Sequence, residues 1–294
     1  MNALRRKFKG KKVVLERDTN IMFKVNRLKQ FLYGTLPYLS YRLFCSKSPK
    51  IACFQFIRKH SHSCPFFSEF IFDYEDFKAT VYEDTGKGLK YVLHKGDRKL
   101  YFPQHYADCK IEKLYRSLVI EQDVRSPHHY VDSIEEFRGK TLLDIGSAEG
   151  IVALEAIEAV EFVYLFECNE VWIKALTATF EPWKDKVKII RKYISDRNDK
   201  TYQTLDDFLK DKPKNNLFLK MDIEGAERRA LAGASNLFSE ANDLQFAICI
   251  YHKTDDVDVI SSFLDRFHCT YSVRKGFIKY GYRIRSCLLH GSKV

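Results

Sequence analysis

At 294 residues the chain is long enough to bury one large core, or a medium domain with a smaller one beside it. Hydrophobic residues at 45% and aromatics at 14% exclude a disordered chain. The net charge of +10 is gathered at one end: residues 1–60 hold fifteen Lys and Arg against Glu16 and Asp18, so the remainder is net acidic.

Residues 1–60 form a basic, aromatic-rich N-terminal arm. Such an arm is suited to an anionic partner: a membrane surface, a phosphorylated carrier or a nucleic acid. Its longest uncharged stretch, between Lys29 and Arg42, falls short of the roughly 20 residues a bilayer span needs, and Gly34 and Pro37 interrupt it. No small-x-small cleavage site follows, so a signal peptide is not expected. Two readings remain for the stretch: an interfacial segment with basic flanks, or a surface helix packed on the domain. Eight cysteines are scattered without a C-x-x-C pair, which reads as reduced thiols in a cytoplasmic protein. The adjacent pair His128–His129 sends its ring nitrogens apart.

Residues 61–138 read as a small α+β portion. From Phe72 to Phe102 the pattern alternates around turns at T-G-K-G and K-G-D-R, which predicts hairpin strands. Residues 111–123 have helical spacing at Ile111, Leu114, Leu118 and Val119.

Residues 139–294 alternate strand and helix, which predicts a Rossmann-like, doubly wound, mostly parallel sheet with helices on both faces. Strands are expected at T-L-L-D, F-V-Y-L-F-E-C, K-V-K-I-I-R-K-Y, L-F-L-K-M-D and L-Q-F-A-I-C-I-Y, with helices at 150–159, 171–180, after Thr204, at 224–238 and at 255–267. Two further strands are expected around 269–280 and 282–290. Ligands of such sheets sit off the carboxyl ends of the strands where the winding reverses, so each strand end is a candidate site.

The first end is D-I-G-S-A-E-G. Gly146 and Gly150 permit close backbone approach, and Ser147, Ala148 and Glu149 lie between them at a helix N-terminus. The dinucleotide pattern G-x-G-x-x-G is missing because residue 148 is Ala. Asp144 would repel a pyrophosphate and attract a cationic amine, which points to S-adenosylmethionine rather than NAD. Glu167, with Cys168 beside it, stands where an acid accepts both ribose hydroxyls. After the third strand, Asp196 is placed for an adenine amino group and Ser195 for a ring nitrogen, or Asp196 is a turn starter. At the fourth end Lys220, Asp222 and Glu224 alternate along one side of an apolar strand, a costly arrangement unless solvated or functional. Asp222 is expected to reach the methionine end of the cofactor or the acceptor; Glu224 has the alternative of a helix-terminus charge. His252, past the fifth strand, is the candidate general base for a hydroxyl acceptor, or a structural partner. A metal held by Asp222 and Glu224 has no third donor that the sequence can place.

Taken in order, D-I-G-S-A-E-G, F-E-C-N, L-F-L-K-M-D-I-E-G-A-E and I-C-I-Y-H-K resemble the FkbM family of S-adenosylmethionine-dependent methyltransferases, over roughly residues 118–268. The resemblance implies a class I methyltransferase fold, with Asp144 through Gly150 around the methionine part and Glu167 on the ribose. It also implies O-methylation of a sugar or of a glycan or glycolipid precursor; peripheral contact at the inner membrane face is expected separately, from the basic, aromatic-rich residues 1–60. Methyl transfer to a nucleic acid stands second, since no N-P-P-Y motif and no RNA-binding module is visible. A non-catalytic binding module of the same fold stands third. The oligomeric state is unknown from sequence.

Overall fold

The computed structural model describes residues 28–60 and 65–294. The chain divides into two units, residues 1–69 and residues 70–294. Residues 1–27 of the basic arm lie outside the described residues.

Among the described residues, 28–60 of the first unit form a helical hairpin. A π-helical turn, Phe31–Thr35, runs without a break into α1 (Leu36–Phe44), and α2 (Lys50–Lys59) returns against it. Gly34 and Pro37 therefore do not end the helix. A proline ring clashes with the carbonyl four residues back. The turn just before Pro37 is widened, with Leu36 N–H donating to Phe31 O, and the helix continues.

In the second unit β1 (Tyr82–Asp84), β2 (Leu89–His94) and β3 (Arg98–Pro103) form the expected antiparallel meander, and α3 (Asp108–Glu121) follows. The second hairpin turns through Lys95 and Gly96, both at positive φ. Next come β4 (Thr141–Ile145), α4 (Ile151–Ala156), β5 (Phe162–Phe166), α5 (Glu170–Thr179) and β6 (Val187–Ile190). The predicted third strand is shorter than expected: Tyr193–Ile194 (β7) leaves the sheet to pair with Tyr202–Gln203 (β8). The meander rests on α5, where Leu89 and Tyr101 pack on Ala175 and Ala178, and Thr179 Oγ1 accepts from Tyr101 N–H at 3.0 Å.

Thr204 caps the short helix α6 (Leu205–Phe208), accepting from Asp207 N–H. After β9 (Asn215–Met221) the expected helix 224–238 is broken into α7 (Glu227–Ala232) and α8 (Ser235–Glu240). The break sits at Gly233, where a Cβ would lie 2.1 Å from Ser195 O. Asp206 then caps the new helix, accepting from Asn236 and Leu237 N–H at 2.9 and 2.8 Å. The chain ends with β10 (Asn242–Cys249), α9 (Asp256–Arg266), β11 (Thr270–Val273), the hairpin β12 (Ile278–Tyr280) and β13 (Arg283–Arg285), and β14 (Leu288–Lys293).

Seven strands make the central sheet in the order β11-β14-β10-β9-β4-β5-β6. From β10 to β6 all pairs are parallel, and β14 runs antiparallel to both its neighbours. This is the doubly wound, mostly parallel sheet of a Rossmann-like α/β fold. Strands covered on both faces need uninterrupted apolar runs. Leu142, Leu143, Leu217, Phe218, Leu219, Phe246 and Ile248 supply them, all buried. The winding reverses between β4 and β9, so the carboxyl ends of these two strands frame the crevice.

Phe238 on α8 is fully buried and meets the rings of Phe246, Phe263 and Phe267 at 5.2–6.1 Å. Phe238→Ala is expected to destabilise the fold by about 3–5 kcal/mol, read as a lower denaturation midpoint with an unchanged slope.

Candidate active site

The crevice begins at the turn after β4. Gly146 has φ +83°, and a Cβ there would stand 2.0 Å from Asp222 O, so the ends of β4 and β9 approach as closely as they do only because residue 146 lacks a side chain. Ala148 and Gly150 also take positive φ. Phe166 O accepts from Gly146 and Ser147 N–H, at 3.0 and 3.2 Å, and Ser147 Oγ donates to Asp144 O at 2.9 Å. Glu167 completes the turn from the next strand. Its Oε2 accepts from Ala148 N–H at 2.9 Å and its Oε1 from Asn169 N–H at 2.6 Å. Each oxygen keeps a lone pair for a second donor.

Asp144 does not open onto this turn. It is buried, and its Oδ1 lies 2.9 Å from Nζ of the equally buried Lys220, which also donates to Gly146 O at 2.7 Å. Burial alone would lower the lysine's pKa, but the charges of Asp144 and Asp222 raise it above its ordinary value. The contrast drawn from Asp144 between a pyrophosphate and a cationic amine therefore fails as a charge argument, because Lys220 neutralises the carboxylate. Asp144 and Lys220 instead hold the turn in place.

The cluster that faces the crevice centres on Asp222, the first residue past β9, whose N–H donates to Ile145 O. Tyr130 Oη donates to Asp222 Oδ2 at 3.0 Å, and Tyr251 Oη to Oδ1 at 3.3 Å. His128 Nε2 stands 3.5 Å from Oδ2 and His252 Nε2 3.5 Å from Oδ1. Burial pushes the Asp222 carboxyl up, but its bond to His128 and the charges of His128, Lys220 and His252 carry it well below the usual range. Burial holds both tyrosines far above theirs, so they remain donors.

His252 Nδ1 lies 2.9 Å from Oε1 of the fully buried Glu227, and that oxygen also accepts from Ile223 N–H at 2.9 Å. The imidazole is thus fixed in orientation, with Nε2 turned to Asp222 and, at 3.5 Å, to Glu224 Oε2. Burial opposes protonation, but Glu227 first, then Asp222 and Glu224, raise its pKa above 6.5. Glu224 is not on the strand: it occupies a turn with φ +54° and its side chain is mostly exposed. The donor atoms of Asp222, Glu227 and His252 lie within 4.8 Å of one another, as do those of His128, Asp222 and Cys249. Each group pairs an imidazole with a carboxylate, the arrangement of a proton relay.

Other expected positions have different partners. Asp196 pairs with Arg229, whose Nη2 lies 2.9 Å from Oδ1, and it also accepts from Ser195 Oγ at 3.1 Å. The guanidinium holds its carboxyl below the usual range. Cys168 is a neutral thiol, pushed up to about 12 by burial. Four contributors were not picked out from sequence as site residues: His128, Tyr130, Glu227 and Tyr251. The adjacent histidines do diverge, yet that divergence sends His128 into the site. Buried His129 is held below 6.5 by burial and Arg274. The signal was the segment R-S-P-H-H-Y just before the sheet.

Residues 164–278 match the family model described as the methyltransferase FkbM domain. The match starts at β5 and ends in β12. It takes in Glu167, Asp222, Glu227 and His252, and the glycine turn lies upstream of it, separated by α4. Among solved structures, a methyltransferase FkbM from Methylobacillus flagellatus KT is 19% identical with a TM-score of 0.42, covering 61% of this chain and 52% of that one. The chain thus spans about half the length of that relative. Magnesium protoporphyrin IX methyltransferase from Synechocystis PCC 6803 with bound SAM is 16% identical, with a TM-score of 0.36 and coverage of 54% and 72%. An SAM-dependent O-methyltransferase from Thermotoga maritima is 16% identical, with a TM-score of 0.34 and coverage of 55% and 62%. No curated protein matches the chain. The segment that matches the family model therefore supplies four of the strand ends, and the turn upstream of it supplies the fifth.

Glu149, buried at the start of the helix that follows the turn, is pushed up to about 8 by burial. A carboxyl raised in the folded state contributes stability below its unfolded pKa of 4.5 and loses it as pH rises through about 8. Glu149→Gln removes that loss. Its melting temperature is expected to gain on the wild type progressively from pH 5 to pH 8 and to hold a constant lead above, in paired thermal scans.

Proposed function

We propose that the chain is an S-adenosylmethionine-dependent methyltransferase that O-methylates a hydroxyl of a sugar or of a glycan or glycolipid precursor. The observation that carries this reading is the Glu227–His252–Asp222 relay beside the glycine turn, at the point where the sheet reverses. Glu167, bonded to the backbone of the glycine turn, keeps lone pairs for the ribose hydroxyls. Asp222, Glu224 and Glu227 gather negative charge where a sulfonium and an amine need it. Bound there, S-adenosylmethionine supplies an electrophilic methyl group, and its carbon–sulfur pair stays on sulfur as the acceptor oxygen takes the carbon.

Asp222 orients the acceptor hydroxyl, and His252 Nε2 receives its proton while Glu227 stabilises the imidazolium. Holding the two reactants in line supplies most of the acceleration, and the base assists modestly. Tyr130 also borders a cavity of about 660 Å³ faced by Tyr74, Phe77, Tyr82 and Tyr115. Aromatic faces of that kind suit the apolar faces of sugar rings.

Calorimetric titration is expected to show S-adenosylmethionine binding that Glu167→Gln weakens about 10- to 100-fold, the worth of one or two charged hydrogen bonds. A wild-type protein that binds neither this ligand nor its demethylated product sinks the proposal. Tritiated methyl transfer is expected to label a cell-envelope extract; label in total RNA instead assigns a nucleic-acid acceptor.

Because His252 must lose a proton before it can accept one, kcat/KM is expected to rise with pH through a value above 6.5. Glu227, Asp222 and Glu224 face the imidazole, with Tyr251 and Tyr280 against its ring. Removing the buried carboxylate in Glu227→Gln is expected to move the acid limb to lower pH as well as slow turnover. A slower enzyme with an unmoved limb leaves Glu227 a structural residue.

A further inference from the structure

The hairpin of residues 28–60 spends one helix face internally and exposes the other. Gly34, Tyr38 and Tyr41 lie on the spent face. A Cβ on Gly34 would stand 3.0 Å from Ile57 Cγ2, the Arg58 guanidinium lies 4.4 Å over the Tyr38 ring, and the Tyr41 ring meets Phe54 at 4.9 Å. The opposite face carries Leu28, Leu32, Leu36, Leu39 and Leu43, spaced four, four, three and four residues apart. Such spacing draws a single stripe along a helix. These five leucines are between 44% and 76% exposed, and Phe44 at the end of the stripe is 82% exposed. Isolated exposed leucines are ordinary, but a continuous row of them marks an interaction surface.

Charge identifies what the row meets. Residues 28–60 contain Lys29, Arg42, Lys47, Lys50, Arg58 and Lys59 and no acidic residue. An apolar stripe with cationic flanks lies in the headgroup region of an anionic bilayer, apolar side down, with basic side chains on the phosphates. Lys29 and Arg42 lie on the same helix as the stripe, so a second copy packed face to face would bring like charges together. No helix among the described residues is long and apolar enough to cross a membrane, so the hairpin would lie in the surface plane.

We propose that the Leu28–Leu43 face is a peripheral docking surface for an anionic lipid bilayer. The inference stands apart from the methyl-transfer reading, because the hairpin contains none of the residues placed in the active site.

The test is co-sedimentation of the full chain with phosphatidylglycerol/phosphatidylcholine vesicles and with pure phosphatidylcholine vesicles. Binding to the anionic vesicles is expected to be at least tenfold tighter and to weaken with salt. The double variant Leu36→Glu/Leu39→Glu is expected to lose binding at least tenfold while titrating S-adenosylmethionine as the wild type does. Arg42→Glu/Lys47→Glu tests the charge separately and is expected to weaken only the anionic case. Equal binding to both vesicle types overturns the proposal, as does absence of binding. A dimer in sedimentation velocity that Leu36→Glu/Leu39→Glu dissolves, with no vesicle binding, assigns the face to a second copy instead. Failure of cofactor binding in the wild type would leave the vesicle result standing, so the two readings fail independently.

Discussion

The ammonium of Lys220 holds the crevice together. It reaches from β9 across to β4, meets the Asp144 carboxylate at 2.9 Å and donates to the carbonyl of Gly146 at 2.7 Å. Either charge alone in that apolar setting would cost several kcal/mol, and removing one partner from a buried pair typically costs about 3–5 kcal/mol. The pair is tolerable because each charge has a partner and the lysine has a carbonyl as well. What it secures is the conformation of the glycine turn and, through the close packing of Gly146, where a Cβ would stand 2.0 Å from Asp222 O, the position of Asp222. Turn and carboxylate are therefore one construction.

Around Asp222 the chain assembles polar partners from two distant segments: His128 and Tyr130 before the sheet, and Tyr251 and His252 after β10. Their arrangement fixes protonation as well as geometry. Burial keeps the tyrosines as donors, the surrounding cations keep Asp222 ionised, and Glu227 keeps His252 basic. Such a network can orient a polar group at Asp222 and hold or move a proton at His252. The groups of the crevice and the leucine stripe of the N-terminal hairpin are distinct in sequence and in chemistry.

Much of the fold was legible in the residues. Apolar runs ending in Asp144, Glu167 and Asp222 marked buried parallel strands, because only strands covered on both faces carry such runs. The spacing of Leu114 and Leu118 marked a helix, and T-G-K-G and K-G-D-R marked hairpin turns. The helix expected over 224–238 broke at Gly233 because the Ser195 carbonyl packs against that glycine, a contact between segments nearly forty residues apart. The continuation of the first helix through Pro37 was equally hidden, since it depends on a widened turn that no local pattern announces.

The site divides along the same line. Sequence by itself determined which side chains stand at strand ends, because the βα pattern and the glycine turn are local. It therefore named Gly146, Glu167, Asp222 and His252. Only the tertiary structure decided what each of them faces. Asp144, read as a ligand for a cation, turned inward to Lys220, and Asp196 found Arg229. Glu227 and Tyr130 entered the site from positions that resembled an ordinary helix start and a loop. Ion pairs and hydrogen bonds act over about 3 Å, between residues that the chain brings together only when the sheet closes, and sequence spacing does not record those distances.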